Sequence, residues 1–190
     1  MHDDSKHLLD ALRSGNAAAF EQVYLSEKNR VFGLLLRLSG DAHVAADLFQ
    51  NVWLKLARHA ARLHDSTNLR AWLHTVARRE YLSYRRAQVI DLSRFLAWGR
   101  HVEITARSFA ATNEADELEA ALEALSERDR EVLLLVGVAE LESAEAAQAL
   151  GITEVAYRQR LARARQRLIS QLERVHTHAH SRTVPRKARS

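Results

Sequence analysis

Residues 143–168 read SAEAAQALGITEVAYRQRLARARQRL, and this stretch decides how the C-terminal half of the chain folds. Ser143 is a capping residue before a short alanine-rich segment, and Gly151 stands where a helix C-terminus favours glycine. Thr153 caps a second, longer segment that is rich in arginine. A short helix, a glycine turn and a basic helix are the parts of a helix-turn-helix, whose second helix enters the DNA major groove.

The longer segment has two different faces when it is drawn as a helix. The apolar face comprises Tyr157, Leu161, Ala164 and Leu168. The other side is the candidate DNA-binding face, and it comprises Ala156, Arg158, Gln159, Arg160, Arg163 and Arg167. Guanidinium and amide groups suit phosphates and base edges. A solvated basic face on a structural helix would give the same pattern, so the residues alone leave both interpretations open.

The whole composition predicts an all-α fold. The chain has 190 residues, six glycines and one proline, so few turns are available to it. Alanine, leucine, arginine and glutamate, which favour helix, are abundant. A chain of this length is one large or two small domains. The formal net charge of +4 is too mild to prove a nucleic-acid partner by itself.

Several classes of protein are excluded or disfavoured. The chain has no cysteine, which excludes disulfides, thiolate metal sites and a cysteine nucleophile, and a reducing cytoplasm is the expected location. We find neither a membrane-spanning stretch nor a signal peptide. No phosphate-binding glycine loop, HExxH or GxSxG motif occurs, so no catalytic residue, cofactor or metal is expected. His176, His178 and His180 would be the best metal candidates, but a polar tail is the better explanation of them.

A second basic stripe is predicted on a helix that begins after Asn68. Leu69, Trp72, Leu73 and Val76 form its apolar side. The other side, together with the cap, is the candidate surface for single-stranded or melting DNA, and it comprises Asn68, Arg70, His74, Arg78, Tyr81 and Arg85. Cations interleaved with an aromatic ring suit this ligand because the cations follow the phosphates while the ring stacks on a base. A solvated face is the alternative. The polar loop at 62–68 precedes this helix.

A helix capped by Asp41 is predicted to bury Val44, Leu48, Val52 and Leu56. Its other side contains Asp47, Gln50, Asn51 and Leu54. A leucine exposed within a polar stripe is a candidate protein-binding spot, although single exposed leucines are common.

Four segments together resemble the extracytoplasmic-function (ECF) group of bacterial sigma factors. They are AADLFQNVW at 45–53, LRAWLHTVARREYLSYRR at 69–86, LSERDREVLLL at 125–135 and EAAQALGITEVAYRQRLARAR at 145–165. They occur in the order and at the spacing of that family. The resemblance implies two small helical domains: a region 2 domain at 5–90 and a region 4 domain at 114–175. A linker at 91–113 joins them, and a basic tail follows at 176–190.

The resemblance also implies roles for the three faces. Asp47, Gln50, Asn51 and Leu54 would bind the β′ clamp helices of core RNA polymerase. Residues 62–86 would read and melt the promoter −10 element, and the helix at 154–167 would read the −35 element. The β flap and an anti-sigma factor are further implied partners.

Two other functions remain open at this stage. A helix-turn-helix regulator that binds duplex DNA without polymerase would need the basic helix but not the Asp47 stripe. An adaptor protein with incidental basic faces would bind DNA weakly and lose that binding as salt rises.

Overall fold

The protein is described by a computed structural model over residues 2–97 and 114–183. Within these residues it contains eight α-helices, one 3-10 turn and no strand, which confirms the all-α prediction. The helices are α1 His2–Arg13, α2 Ala17–Ser39, α3 Ala42–His59, α4 Leu69–Ala97, α5 Glu114–Glu123, α6 Glu127–Gly137, α7 Ser143–Leu150 and α8 Glu154–Thr183. The 3-10 turn Ala60–Arg62 follows α3 directly.

Local capping chemistry sets the helix boundaries. Asn16 accepts hydrogen bonds from the amides of residues 18 and 19, at 2.8 and 3.2 Å, and Asp41 caps α3 in the same way. Gly40 and Gly151 end α2 and α7 in the left-handed region, each with φ of 67°. Thr153 Oγ1 accepts from the amide of residue 156 and starts α8. The caps at Asp41, Gly151 and Thr153 are as predicted, because each depends only on neighbouring residues.

Three boundaries differ from the prediction. The N-cap of α7 is Glu142 rather than Ser143, because Glu145 reaches back and accepts a hydrogen bond from the Glu142 amide at 3.0 Å. Helix α4 continues to Ala97 and so includes the first part of the linker expected at 91–113. Helix α8 continues into the expected tail, as far as Thr183. The remainders of the linker and tail, 98–113 and 184–190, lie outside the described residues.

The described residues divide into two compact units. The first contains residues 2–97 with 134–157, and the second contains 114–133 with 158–183. In the first unit α2, α3 and α4 pack around a fully buried core that includes Leu35, Leu56 and Leu73. An aromatic cluster extends this core, with Tyr24 and Phe49 in contact with the Trp53 ring. Helix α7 packs on α4 within the same unit.

Candidate nucleic-acid interface

Helix α3 presents the polar stripe that the sequence predicted. Leu48, Val52 and Leu56 are buried, so the opposite side of the helix faces outward. The four residues proposed to bind polymerase all lie on that exposed side: Asp47, Gln50, Asn51 and Leu54. Leu54 is 43% exposed, which places an apolar side chain within a ring of polar ones. Such a surface suits a protein partner.

The loop before α4 is held by α1. Arg13 Nε donates to the carbonyl oxygen of Leu63 at 2.7 Å, and the Arg13 guanidinium forms an ion pair with Asp65. This hydrogen-bonded charge lowers the pKa of Asp65. Within the loop, the His64 amide donates to Thr67 Oγ1 at 3.0 Å and the Thr67 amide donates to the His64 carbonyl at 2.9 Å. The loop therefore has a defined shape.

The predicted stripe on α4 is only partly at the surface. Asn68 is exposed, and its Oδ1 accepts from the Ala71 amide at 3.0 Å, which caps the helix. Arg70, Arg78 and Arg85 are half-buried. His74 and Tyr81, in contrast, are 0% and 1% exposed. The stripe was drawn on an isolated helix, but α4 packs against α2, α3 and α7, so these two side chains lie inside the unit.

A half-buried carboxylate lies near the beginning of α4. Glu27 of α2 is 12% exposed, and three cationic or ionisable groups surround it. Its oxygens lie 3.6 Å from Arg70 Nε, 3.7 Å from His74 Nε2 and 3.9 Å from Arg30 Nη1. These separations are longer than hydrogen bonds, and within the described residues Glu27 Oε2, Arg70 Nε and both ring nitrogens of His74 have no hydrogen-bond partner, so the cluster is held together by electrostatic attraction alone.

A cavity of about 760 Å³ opens next to this cluster and to the loop. Its polar lining includes Glu27, Thr67, Asn68 and Arg70, while its apolar lining includes Leu9 and Val23. The volume is in the range of small-molecule pockets, about 300–1,000 Å³. This lining suits a ligand with a planar ring: the apolar wall can pack against the ring face, and the amide and guanidinium groups can hydrogen-bond to the ring edges.

The connection from α6 to α7 approaches the same place. Arg30 donates to Glu140 Oε2 from two of its nitrogens, at 2.9 and 2.6 Å. Asn68 Nδ2 donates to Glu145 Oε1 at 2.9 Å, and Arg70 Nη2 donates to the Ala139 carbonyl at 3.0 Å. The hydrogen bond from Arg30 lowers the pKa of Glu140. The two donors expected to bind DNA at the start of α4 are therefore engaged within the chain.

Helix α8 separates its faces as predicted. Tyr157, Leu161 and Ala164 are buried. The residues on the candidate DNA-binding face are exposed or, for Ala156, half-buried: Ala156, Arg158, Gln159, Arg160, Arg163 and Arg167. Arg167 also donates to both oxygens of Asp129, at 2.8 and 2.6 Å, so its guanidinium is held toward α6.

Sequence reasoning missed Arg13, Glu27, Arg30, Glu140 and Glu145. Arg30 and Glu140 are 110 residues apart, so no local pattern connects them. The one sequence feature that could have indicated Glu27 and Arg30 is the polar side of α2. A helix whose polar side simply faces solvent has the same feature, so it does not identify residues that pair within the fold.

Two further properties concern only the part of the chain that the structure describes. No helix there is both long and apolar enough to cross a membrane. No group of three or more histidine, cysteine, aspartate or glutamate side chains is arranged to hold a metal ion among those residues. His176 instead lies 3.3 Å from Glu117 Oε2, and the side chains of His178 and His180 are outside the description.

Comparison with known proteins decides between the open interpretations. The family model for Sigma-70 region 2 matches residues 23–89, and the model for Sigma-70 region 4 matches residues 115–168. The ECF RNA polymerase sigma factor SigM of Bacillus subtilis is 30% identical over 151 residues, which cover 78% of this chain and 91% of SigM. The chain belongs to the ECF sigma factors of the sigma-70 family. As such a sigma factor, it binds core RNA polymerase and directs promoter-specific initiation of transcription.

Two other relatives agree with this assignment. The ECF sigma factor EcfG of Rhodopseudomonas palustris is 31% identical over 172 residues, covering 85% of this sigma factor and 84% of EcfG. The sigma factor RpoE, solved in complex with the anti-sigma factor NepR from Bartonella quintana, is 26% identical. Its TM-score is 0.68, and the match covers 81% of this chain and 96% of that one. The regulator that acts without polymerase is the less favoured interpretation.

Proposed function

We propose that this sigma factor uses three separate faces for its three tasks. The exposed side of α3 binds core polymerase, the loop at 63–68 with the start of α4 reads the −10 element, and the exposed side of α8 reads the −35 element. The observation that carries the proposal is the exposure of Gln159, Arg160 and Arg163 on α8 while Tyr157 and Leu161 are buried. A helix that buries its apolar side and exposes guanidinium groups is suited to the major groove.

The polymerase contact is assigned to Asp47, Gln50, Asn51 and Leu54. Leu54 would enter an apolar spot on the β′ clamp helices while the polar groups around it form hydrogen bonds and ion pairs. The β flap is the expected partner of the region 4 domain. Support for the α3 assignment comes from the exposure of all four side chains on one helix.

The −10 contact is assigned to the cavity and the cations around it. A base that leaves the duplex stack would enter the cavity beside Thr67 and Asn68, and guanidinium groups on α4 would hold the neighbouring phosphates. Pyrimidine–purine steps unstack at low cost, which suits melting at this site. His74 and Tyr81 would act from inside the unit, where His74 Nε2 lies 3.7 Å from a Glu27 oxygen and Arg85 Nη1 donates to the Tyr81 hydroxyl at 2.9 Å.

Other parts of the assignment follow from family membership and remain proposals. The domains run over 5–90 and 114–175, with a linker at 91–113 and a basic tail at 176–190. The sigma factor acts in the cytoplasm and catalyses no reaction itself. An anti-sigma factor is a further partner, because the structurally similar RpoE was solved with NepR.

The −35 assignment is tested by Arg163→Ala. Holoenzyme reconstituted with bacterial core polymerase is used to select promoters from randomised duplex DNA, and binding and initiation are measured on the selected sequences. Loss of one base or phosphate contact costs about 1–3 kcal/mol, so we expect roughly 5- to 150-fold weaker binding on −35-dependent promoters.

Arg128→Ala is the matched control, because it removes the same charge from an exposed position on α6 that lies outside the proposed DNA-binding face. It should have a much smaller effect. Equal losses for the two variants would show that net charge rather than the proposed face governs binding, and unchanged initiation by Arg163→Ala would refute the assignment.

A further inference from the structure

Helix α8 begins with an exposed apolar side chain, Val155. It lies in the first turn of the helix and is 64% exposed, whereas Tyr157 and Leu161 on the same helix are buried. Val155 therefore lies outside the buried side of α8. Valine is also a weaker helix former than alanine, so helix propensity does not favour it here. Single exposed valines are common on protein surfaces, so the position of this one on the helix decides what it does.

Val155 lies on the same outward side of α8 as Arg158 and Gln159. Residues three and four positions apart on a helix are neighbours, with Cβ atoms about 5–6 Å apart. Arg158 and Gln159 are both exposed. Guanidinium and amide groups form paired hydrogen bonds with the major-groove edges of guanine and adenine. Val155 therefore places two methyl groups beside side chains that are proposed to read base edges.

The charges at the start of α8 indicate that its first turn faces bases rather than phosphates. Glu154 and Val155 begin the helix, and the first cation is Arg158. The dipole of a helix start favours a phosphate, but the negative charge of Glu154 opposes one at this position. Cations suited to phosphates come later, at Arg160 and Arg163. In a helix-turn-helix, the N-terminal residues of the second helix are the ones that reach base edges.

We propose that Val155 is a specificity-determining residue that packs against the C5 methyl group of a thymine in the −35 element. The proposal rests on the −35 assignment to α8. Thymine alone among the DNA bases carries a methyl group on its major-groove edge, and apolar side chains recognise it by contact. The rise from residue 155 to residue 159 is about 6 Å, or roughly two base-pair steps. The thymine should therefore lie within about two base pairs of the base that Gln159 reads.

The contact is tested first by removing the methyl group from the DNA, with the protein unaltered. Deoxyuridine differs from thymidine only by this methyl group, so every hydrogen bond of the base pair is retained. Holoenzyme is bound to −35-dependent promoters that it has selected, each with deoxyuridine at one thymine position of the −35 element, on either strand. We expect binding to weaken about three- to five-fold at one position, the effect of losing one buried methyl group.

Val155→Ala makes the matching change in the protein. It should bind the thymine promoter about as weakly as the parent binds the deoxyuridine promoter, and it should be insensitive to deoxyuridine at that position. Val155→Thr keeps a methyl group on Cβ, so it should remain sensitive. The free energy of unfolding of Val155→Ala should not fall, because an exposed valine is replaced by a better helix former.

Val89→Ala is the matched control. It makes the same substitution at a valine of α4 that is 62% exposed, close to the exposure of Val155. Because Val89 lies outside the proposed DNA-binding faces, this variant should respond to deoxyuridine as the parent does.

Three results would overturn the inference: a selected −35 element without an A·T pair, no position in the parent that is sensitive to deoxyuridine, or equal sensitivity in the parent and Val155→Ala. In each case, weaker promoter binding by Arg163→Ala would still support the −35 assignment. A holoenzyme that selects no −35 sequence at all would refute that assignment and the Val155 contact together.

Discussion

Asp129 shows how a single side chain connects stability to pH in this sigma factor. It accepts a hydrogen bond from Ser126 Oγ at 2.7 Å and two from Arg167. Burial alone would raise the pKa of Asp129, but the hydrogen bonds from Ser126 and Arg167 outweigh it, and the pKa is lowered. The carboxylate form is therefore bound more tightly in the folded protein than in the unfolded chain.

We predict that Asp129→Asn removes an acid-sensitive part of the stability. Because the pKa of Asp129 is lower in the folded protein than in the unfolded chain, where it is about 3.9, ionised Asp129 stabilises the fold at pH values above 3.9. This stabilisation is lost as the pH falls through the pKa of the folded state. The variant should be less stable by up to about 1 kcal/mol at pH 6, and the difference from the parent should shrink as pH falls below the unfolded value. Urea unfolding at several pH values measures this, with Glu123→Gln as the control for removing a charge. A constant difference across pH would contradict the prediction.

Residues whose role depends on near neighbours were predictable, and those that act across the fold were not. Asn16, Asp41 and Thr153 cap helices because their side chains reach amides two or three positions ahead. The pairing of Arg30 with Glu140 depends instead on how α2 and the connection from α6 to α7 meet, which no short pattern contains.

At the scale of elements, the periodicity of apolar residues predicted which segments are helical. How far a helix extends depends instead on where glycine or proline next occurs in the sequence. Helix α4 continues to Ala97 because no glycine or proline occurs between Asn68 and Gly99. Helix α8 is likewise continuous as far as Thr183, the last described residue, and no glycine or proline occurs between Gly151 and Pro185 in the sequence.

The turn of the helix-turn-helix supplies a prediction at this scale. Gly151 has φ of 67°, a region that side chains with a Cβ avoid, although no atom would clash with an added Cβ. Gly137 also has open space around a Cβ but ends α6 without positive φ. We expect Gly151→Ala to cost about 1 kcal/mol, and Gly137→Ala to be neutral or slightly stabilising.

Urea denaturation of the two variants and the parent measures the difference. Because both sites have equal space and the same substitution, only the backbone angle distinguishes them. Equal free energies of unfolding for the two variants would show that the left-handed turn does not constrain residue 151.

Over the whole molecule, the sequence predicted three candidate faces but not how accessible each of them is. The α3 and α8 faces are exposed as expected, because each of these helices buries one continuous apolar side. The α4 stripe differs, since α4 packs on α2, α3 and α7 and so encloses His74 and Tyr81. A helical wheel predicts exposure correctly for a helix that buries only one side. It fails for a helix such as α4, which has neighbouring helices on several sides.

The central claim is that this chain is a sigma subunit that binds core polymerase through α3. The most direct measurement is co-purification with bacterial core RNA polymerase at moderate salt, without DNA. We expect a one-to-one complex for the parent, and at least about ten-fold weaker binding for Asp47→Lys because it reverses a charge within the contact. Glu21→Lys, the same change on an exposed site of α2, should bind normally. If the parent chain forms no complex with core polymerase, the account is contradicted.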